Sequence, residues 1–412
     1  MKFRTARLPC SLIAGMWMLA HASMALAQTC PEVDEARELL IRDLGVVEDP
    51  ARTTGDGVWT FKHLMEAIAP SAADAPDMVE QMFSTWLTDQ TINGRVVPAR
   101  DSIGGLVLND WPRVSGALDL GRAPVRLLAI VNRLDQRDLS RGQAGEGRFV
   151  FGVTDSSGQS TEFTLIFEYA LPAGSEADVL EWANLWHGLN ALVPGSASYN
   201  AALEAITERF AGRDAAPSRI NGSALNQIRS NEVALAFPWE LREFTLSGSG
   251  SLQPDTVKLT PDSSLMGESI VADFVNQNES AILIERHDVP ETFAGVAFLG
   301  GSSINNLGPW QPPGITNNEA RHKFSINTCN GCHGNETNTI FLHINTRQAG
   351  AESQLSGFLQ GVDVTDPVDS TVRHFDDLER RATDMEALLC TSGGGSRAQS
   401  ASFIAKGIGS VH

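Results

Sequence analysis

Three residues in the stretch "FSINTCNGCHGNET", residues 324–337, carry a spacing that chemistry uses: Cys329, Cys332 and His333 form C-x-x-C-H. Two thiols so spaced reach the two vinyl groups of one porphyrin, and an imidazole directly after the second falls under the iron. Cys329 and Cys332 are therefore the expected thioether anchors of a haem c, and His333 its expected proximal ligand. The composition of the chain produces such a match by chance on the order of once in a thousand times. Three residues compete for the sixth iron position. His343 is within reach along the chain and would give a bis-imidazole iron of low potential. Met385 would raise the potential, although its place on an apolar helical face suits core packing; His374 sits beside Phe375, just before that helix.

Two other chemistries fit the same cysteines. Zinc would take Cys329, Cys332 and His343, with His322 or His374 as a fourth ligand. A redox Cys-x-x-Cys pair is the other, but such pairs open a helix in a thioredoxin-like βαβ setting, and no such pattern is present. The chain has no H-E-x-x-H, no G-x-S-x-G and no P-loop. "RGQAGEGRFVFG" runs into a strand and not a helix, which excludes a helix-N-terminal phosphate cradle and reads as a loop between strands. "DVTDPVD" lacks the alternation and the glycine of a calcium loop, and His187, beside Trp182 and Trp186, reads as a core histidine.

"CNGCHG" resembles the haem-attachment sequence of c-type cytochromes, with a helix expected around "NNEARHKF" leading into it. The likeness is confined to this stretch: Phe324 lies five residues before Cys329, and no Met-Pro loop precedes a final helix. More broadly, "VRLLAIVNRLDQRD", "GEGRFVFGV", "NGSALNQIRSNE" and "LSGFLQG" look like those of a group of exported bacterial proteins with a C-terminal C-x-x-C-H. That resemblance, over roughly 57–390, implies one recurring unit and supplies no catalytic residues.

The N-terminus places the chemistry in a compartment. Lys2, Arg4 and Arg7, the apolar stretch Leu8 to Ala20 and Ala25-Leu26-Ala27 read as a secretory signal peptide over 1–27. A periplasmic or extracellular location follows, where haem c is attached. No later stretch is apolar for the roughly 20 residues a transmembrane helix needs. The formal net charge is −19, and the basic signal makes the exported part more acidic still. Such a surface repels nucleic acid and anionic lipid, and leaves a redox partner protein as the expected partner. Outside the signal four cysteines remain, too few for a disulfide framework. With 329 and 332 used together, Cys30 and Cys390 either pair, tying the ends of the chain, or stay as free buried thiols.

The elements that must position the motif are mixed in order. Helices are expected at 32–45, around "TFKHLMEAIA", "DMVEQMFSTWLTDQ", "DVLEWANLWHGLNAL", "YNAALEAITERFAG" and "ESIVADFVNQNESAILIE". Strands are expected in "PVRLLAIVNRLD", "RFVFGVTD", "STEFTLIFEYALP", "EVALAFPWELREFTLSG" and "DTVKLTPD". Without regular βα alternation this is α+β, with antiparallel strands in a large N-terminal part and a mainly helical C-terminal segment. "GSSINNLGPWQPPG", residues 300–313, is the expected boundary, dividing an α+β domain at 28–313 from a haem-binding segment at 314–391, before a flexible tail at 392–412. In the last helix Phe375, Leu378, Ala382, Met385 and Leu389 share a face. The function expected from all this is electron transfer by one covalent haem. The alternatives are a non-redox structural or binding protein with a zinc or disulfide site, and a haem-dependent peroxidase or oxidase.

Overall fold

The computed structural model describes residues 30–391; the signal peptide read over 1–27 and the tail at 392–412 lie outside them. The fold is α+β, built on one antiparallel sheet. Its strands are β1 (Leu40–Ile41), β2 (Val125–Arg133), β3 (Gln143–Thr154), β4 (Ser160–Pro172), β5 (Leu225–Glu232), β6 (Trp239–Leu241), β7 (Glu243–Leu246), β8 (Leu252–Asp255) and β9 (Ser303–Asn305). They run in the order β1-β2-β3-β4-β5-β6-β9, with β7 also on β5 and β8 on β7. The long strands β2 to β4 form a meander because each is rich in branched and aromatic residues. Asp155 closes the β3–β4 turn by accepting from the Ser157 and Gln159 amides, both at 2.9 Å.

One face of the sheet is aromatic. Phe149, Phe151, Phe163 and Phe167 point the same way and are buried. Helices α1 (Phe61–Ile68), α2 (Ala75–Ser84), α3 (Glu176–His187) and α4 (Ala197–Ala211) belong to the same hydrophobic cluster. Phe61 meets Phe151 and Phe167 edge-on, and Phe210 packs on Phe149 and Tyr169. The Ser175 and Ser196 hydroxyls cap α3 and α4 by accepting from amides of their first turns. Behind a second cluster around Trp239, Phe274 and Phe298 lie α5 (Ser269–Gln277) and α6 (Asn318–Ile326). The chain ends with α7 (Cys329–Cys332), a hairpin of β10 (Val362–Thr365) and β11 (Val372–Phe375), and α8 (Asp377–Thr391).

Five expectations need correction. The helix at 32–45 is a π turn, Glu35–Leu39, followed by β1, because Leu40 and Ile41 pair with Val131 and Ile130 at the edge of β2. The glycine-rich run ahead of "RFVFG" is strand and not loop: Gly145 takes φ 120°, and a Cβ there would strike the Arg133 carbonyl, so the ladder bulges between Gln143 and Glu146. "DTVKLTPD" contributes only the end of β8. Phe375 lies in β11 and not on the last helix. The 300–313 stretch is also no break in the core. Ser303–Asn305 pairs with β6, Trp310 is fully buried, and 314–391 shares residues with both hydrophobic clusters. Cys30 and Cys390 are joined as a disulfide, with Cα atoms 5.1 Å apart, linking the start of the described chain to α8. Among the described residues, no helix is long and apolar enough to cross a membrane.

Candidate functional site

The motif is held by α6 and α7 end to end. The Asn317 side chain caps α6 by accepting from the Glu319 amide at 2.9 Å, and the Thr328 hydroxyl caps α7 by accepting from the Gly331 amide at 3.1 Å. The His333 amide donates to the Cys329 carbonyl at 2.9 Å, closing one turn. That turn places positions 329, 332 and 333 on one side of the backbone. Gly331 is required here, since a Cβ would collide with the Ser325 carbonyl. The Cys329 amide donates to the Thr260 hydroxyl at 2.9 Å, and the Trp310 indole donates to the Asn330 side chain at 2.7 Å. The turn is therefore tied on both sides to the second cluster.

His333 is buried, and burial pushes its imidazole down to about 4, so the ring is neutral at neutral pH. Its Nδ1 meets the Phe341 carbonyl at 2.5 Å, which fixes the tautomer with Nδ1–H donating and makes Nε2 the basic, metal-binding atom. Trp239 stacks on the ring at 5.0 Å between centres, 18° from parallel, and its own indole donates to the Asn231 side chain. Both thiols are buried and un-ionised at neutral pH: burial raises Cys329 to about 11 and Cys332 further above its ordinary value.

The structure brings His343 to the motif and leaves the other sixth-ligand candidates elsewhere. His343 Nε2 lies 3.1 Å from the Cys332 sulfur, with Nδ1 on the Ser356 hydroxyl at 2.8 Å. Its ring centre is 4.4 Å from that of His333. A metal between two imidazoles needs about 2 Å to each nitrogen, which sets the ring centres farther apart than this. As placed, His343 is a partner of Cys332 and does not sit across an iron from His333. Met385 is buried in α8 with its sulfur 3.6 Å from the Asn132 amide nitrogen. His374 is exposed on β11, its Nδ1 on Asp363 at 2.8 Å. His322, the other suggested zinc ligand, contacts Glu336 at 2.5 Å. Among the described residues, His322, Glu336 and Asp366 do bring ligand atoms within 4.8 Å of one another. Arg321 already reaches both carboxylates and Arg373 reaches Asp366, so the negative charge is balanced by guanidinium.

Between the motif and the sheet lies a cleft with about 570 Å³ free of protein atoms, part of it open to solvent. Its enclosed part is small, about 70 Å³. Its floor is the second face of β2 to β5, including Val131, Val150, Ile166 and Asn231; His333, His343 and Leu359 form the roof. Three arginines, Arg133, Arg148 and Arg381, enter it. Charged side chains at alternate positions of otherwise apolar strands are the signal that could have found this face. Trp239, the arginines and the Glu336 cluster were not singled out from sequence, because nothing local tells which segment will cover a strand. No known family, curated protein or solved structure matches the chain.

Two thiols one turn apart and a following neutral imidazole with Nδ1 tied to a carbonyl are the donor types that a haem c takes; His333 lines the cleft and neither thiol does.

Proposed function

We propose that this is an exported protein carrying one covalent haem c on Cys329 and Cys332, with His333 as proximal ligand, and that it serves electron transfer to a redox partner protein. The observation that carries the reading is the His333 ring, buried beside the cleft with Nδ1 held by the Phe341 carbonyl and its plane held by Trp239. An imidazole so fixed loses little freedom on ligation, which favours a metal role over simple packing. Bound here, haem supplies a one-electron couple. The chain's own residues anchor it, orient the proximal ring and exclude water on the sheet side. The Cys30–Cys390 disulfide agrees with an oxidising, periplasmic or extracellular compartment.

The test is the reduced pyridine haemochrome spectrum of protein made in the periplasm with the haem c attachment machinery present. A c-type band that survives denaturation, and disappears in Cys329→Ala/Cys332→Ala, is the expected result. Folded parent protein without that band would sink the reading.

One observation favours a second reading. The Cys332 sulfur lies 3.1 Å from His343 Nε2, a spacing suited to two ligands of one zinc ion, with Ser356 orienting the histidine from behind. Iron-free protein with stoichiometric zinc would decide for it, and for a non-redox binding or structural role.

A further inference from the structure

A cavity of about 270 Å³ lies at the start of β2, between that strand and the segments 47–61 and 120–123. Cys329, Cys332 and His333 take no part in its lining. Val47, Leu120, Leu127 and Phe151 give it an apolar wall, and Arg126 and Glu48 line it as well. We propose that this cavity binds a small carboxylate with an apolar body, and that Arg126 receives the carboxylate group.

The charge balance points to an anion. Arg126 is half-buried, and its guanidinium donates to two main-chain carbonyls, that of Arg347 at 2.7 Å and that of Gly158 at 3.2 Å. Among the described residues it forms no ion pair. Glu48, the acid in the lining, is engaged elsewhere: its Oε1 accepts from the Arg347 guanidinium and from the Gly350 amide, the latter at 2.9 Å. Two guanidiniums set against one carboxylate leave a positive charge without a counter-ion beside the cavity. Burial, with repulsion from Arg347 next, holds Arg126 below its ordinary value. A guanidinium bonded to carbonyls alone keeps N–H groups for a further acceptor, and a carboxylate supplies charge-assisted bonds to them.

The remaining polar side chains of the lining narrow the ligand. Thr53, Thr54 and Thr60 spend their hydroxyl hydrogens on the Asp49, Pro50 and Gly57 carbonyls at 2.8, 2.7 and 2.7 Å. The Trp59 indole donates to the Thr207 hydroxyl at 2.9 Å. Arg126 is therefore the side chain left to donate to a ligand oxygen. A cavity of about 150 Å³ holds benzene, so this volume suits one ring or a short branched chain beside the carboxylate. A nucleotide is too large for it, and inorganic phosphate leaves the apolar wall unmatched.

The experiment titrates the exported protein, as isolated, with phenylacetate, phenylacetamide and acetate by isothermal calorimetry. Phenylacetate is expected to bind. The amide, which lacks the charge, and acetate, which lacks the apolar body, should each bind about tenfold or more weakly. Arg126→Gln should weaken phenylacetate about tenfold and leave the amide unchanged. Ala123→Leu, which fills the cavity from its wall, should remove binding of both. No binding of phenylacetate, or equal binding of acid and amide, overturns the proposal, and that comparison needs no substitution that could disturb folding. Phenylacetate affinity unchanged in both variants overturns it too, since the acid would then bind elsewhere. With the motif residues absent from the lining, the outcome is independent of the haemochrome test.

Discussion

The two faces of the central sheet are made by the same strands and do opposite things. On one, Phe149, Phe151, Phe163 and Phe167 meet the helices in a dry aromatic stack. On the other, residues directly across the ladders are charged: Arg133 faces Glu146, Arg148 faces Glu168, and Glu243 faces Arg229. The aromatic face gains stability from area and shape without direction. The charged face gains little net stability, because desolvation offsets the attraction of buried pairs. What it offers is fixed, directional charge beneath Cys329, Cys332 and His333. The difference teaches that one strand can be an apolar foundation on one set of alternate positions and a charged surface on the other.

The comparison is broken most strongly by large substitutions on each face. Phe167→Ala should cost about 3–5 kcal/mol through the cavity it leaves. Arg229→Met should cost about 3–5 kcal/mol for a different reason, since it takes the guanidinium 2.9 Å from Glu243 away and leaves Glu168 only Arg148 at 3.5 Å and the Gln227 amide. The difference appears in rescue. Adding Glu168→Gln and Glu243→Gln to Arg229→Met should recover much of the loss, read by urea denaturation, because the penalty is uncompensated charge. If the triple variant is as unstable as the single, the charged face contributes packing and not electrostatics, and the contrast fails.

A smaller effect comes from the acid that sits on the wrong face. Glu232 pairs across from Phe163 on the aromatic side, with Arg100 at 2.7 Å and the Leu235 amide at 3.0 Å. Burial, opposed by Arg100, raises its carboxyl from 4.5 to about 7. A raised carboxyl contributes stability below its unfolded value of 4.5, and that contribution is lost as pH rises to about 7. The loss is at most about 3 kcal/mol. Glu232→Gln should flatten the pH dependence in that window and make the protein more stable at pH 8. A parent curve already flat there would mean that Arg100 keeps the carboxylate ionised. Next in size, Gly331→Ala should cost about 1–3 kcal/mol by forcing the Ser325 carbonyl away, and under the proposed haem reading should lower covalent haem content more than it lowers folding.

The aromatic face was largely legible in the sequence. The runs at 124–135, 148–155 and 160–172 give strands and their meander from local composition alone. The spacing of Cys329, Cys332 and His333 could be read directly, and the structure sets the three on one turn. What escaped is non-local. Leu40 and Ile41 have helical periodicity, and only the free edge of β2 turns them into strand. Residues 300–313 have the composition of a linker, yet the buried indole of Trp310 reaches Asn330 inside the motif. His343 was reachable by chain length, but its contact with Cys332 depends on how 334–342 folds back. The meeting of Arg133, Arg148 and Arg381 along the cleft needs both the strand register, with its bulge at Gly145, and the arrival of α8, which the Cys30–Cys390 disulfide ties to the start of the described chain.

The smallest effect sharpens the contrast by its near absence. His343 and His374 were both candidate iron or zinc ligands in the sequence, with His343 the first choice, and the structure separates them. His374 is mostly exposed on the β10–β11 hairpin, and its partner Asp363 is exposed as well. An ion pair between two such side chains is worth about 0–1 kcal/mol. His374→Ala should therefore shift stability by less than about 0.5 kcal/mol and leave the haem spectrum untouched. His343→Ala should leave the Cys332 thiol without its imidazole and perturb the site in either the haem or the zinc reading. The pair is measured by thermal denaturation together with the haemochrome and metal content of each variant. Should His374→Ala change the spectrum as His343→Ala does, the hairpin would have to close over the cleft, and the charged face would be covered by two segments and not one.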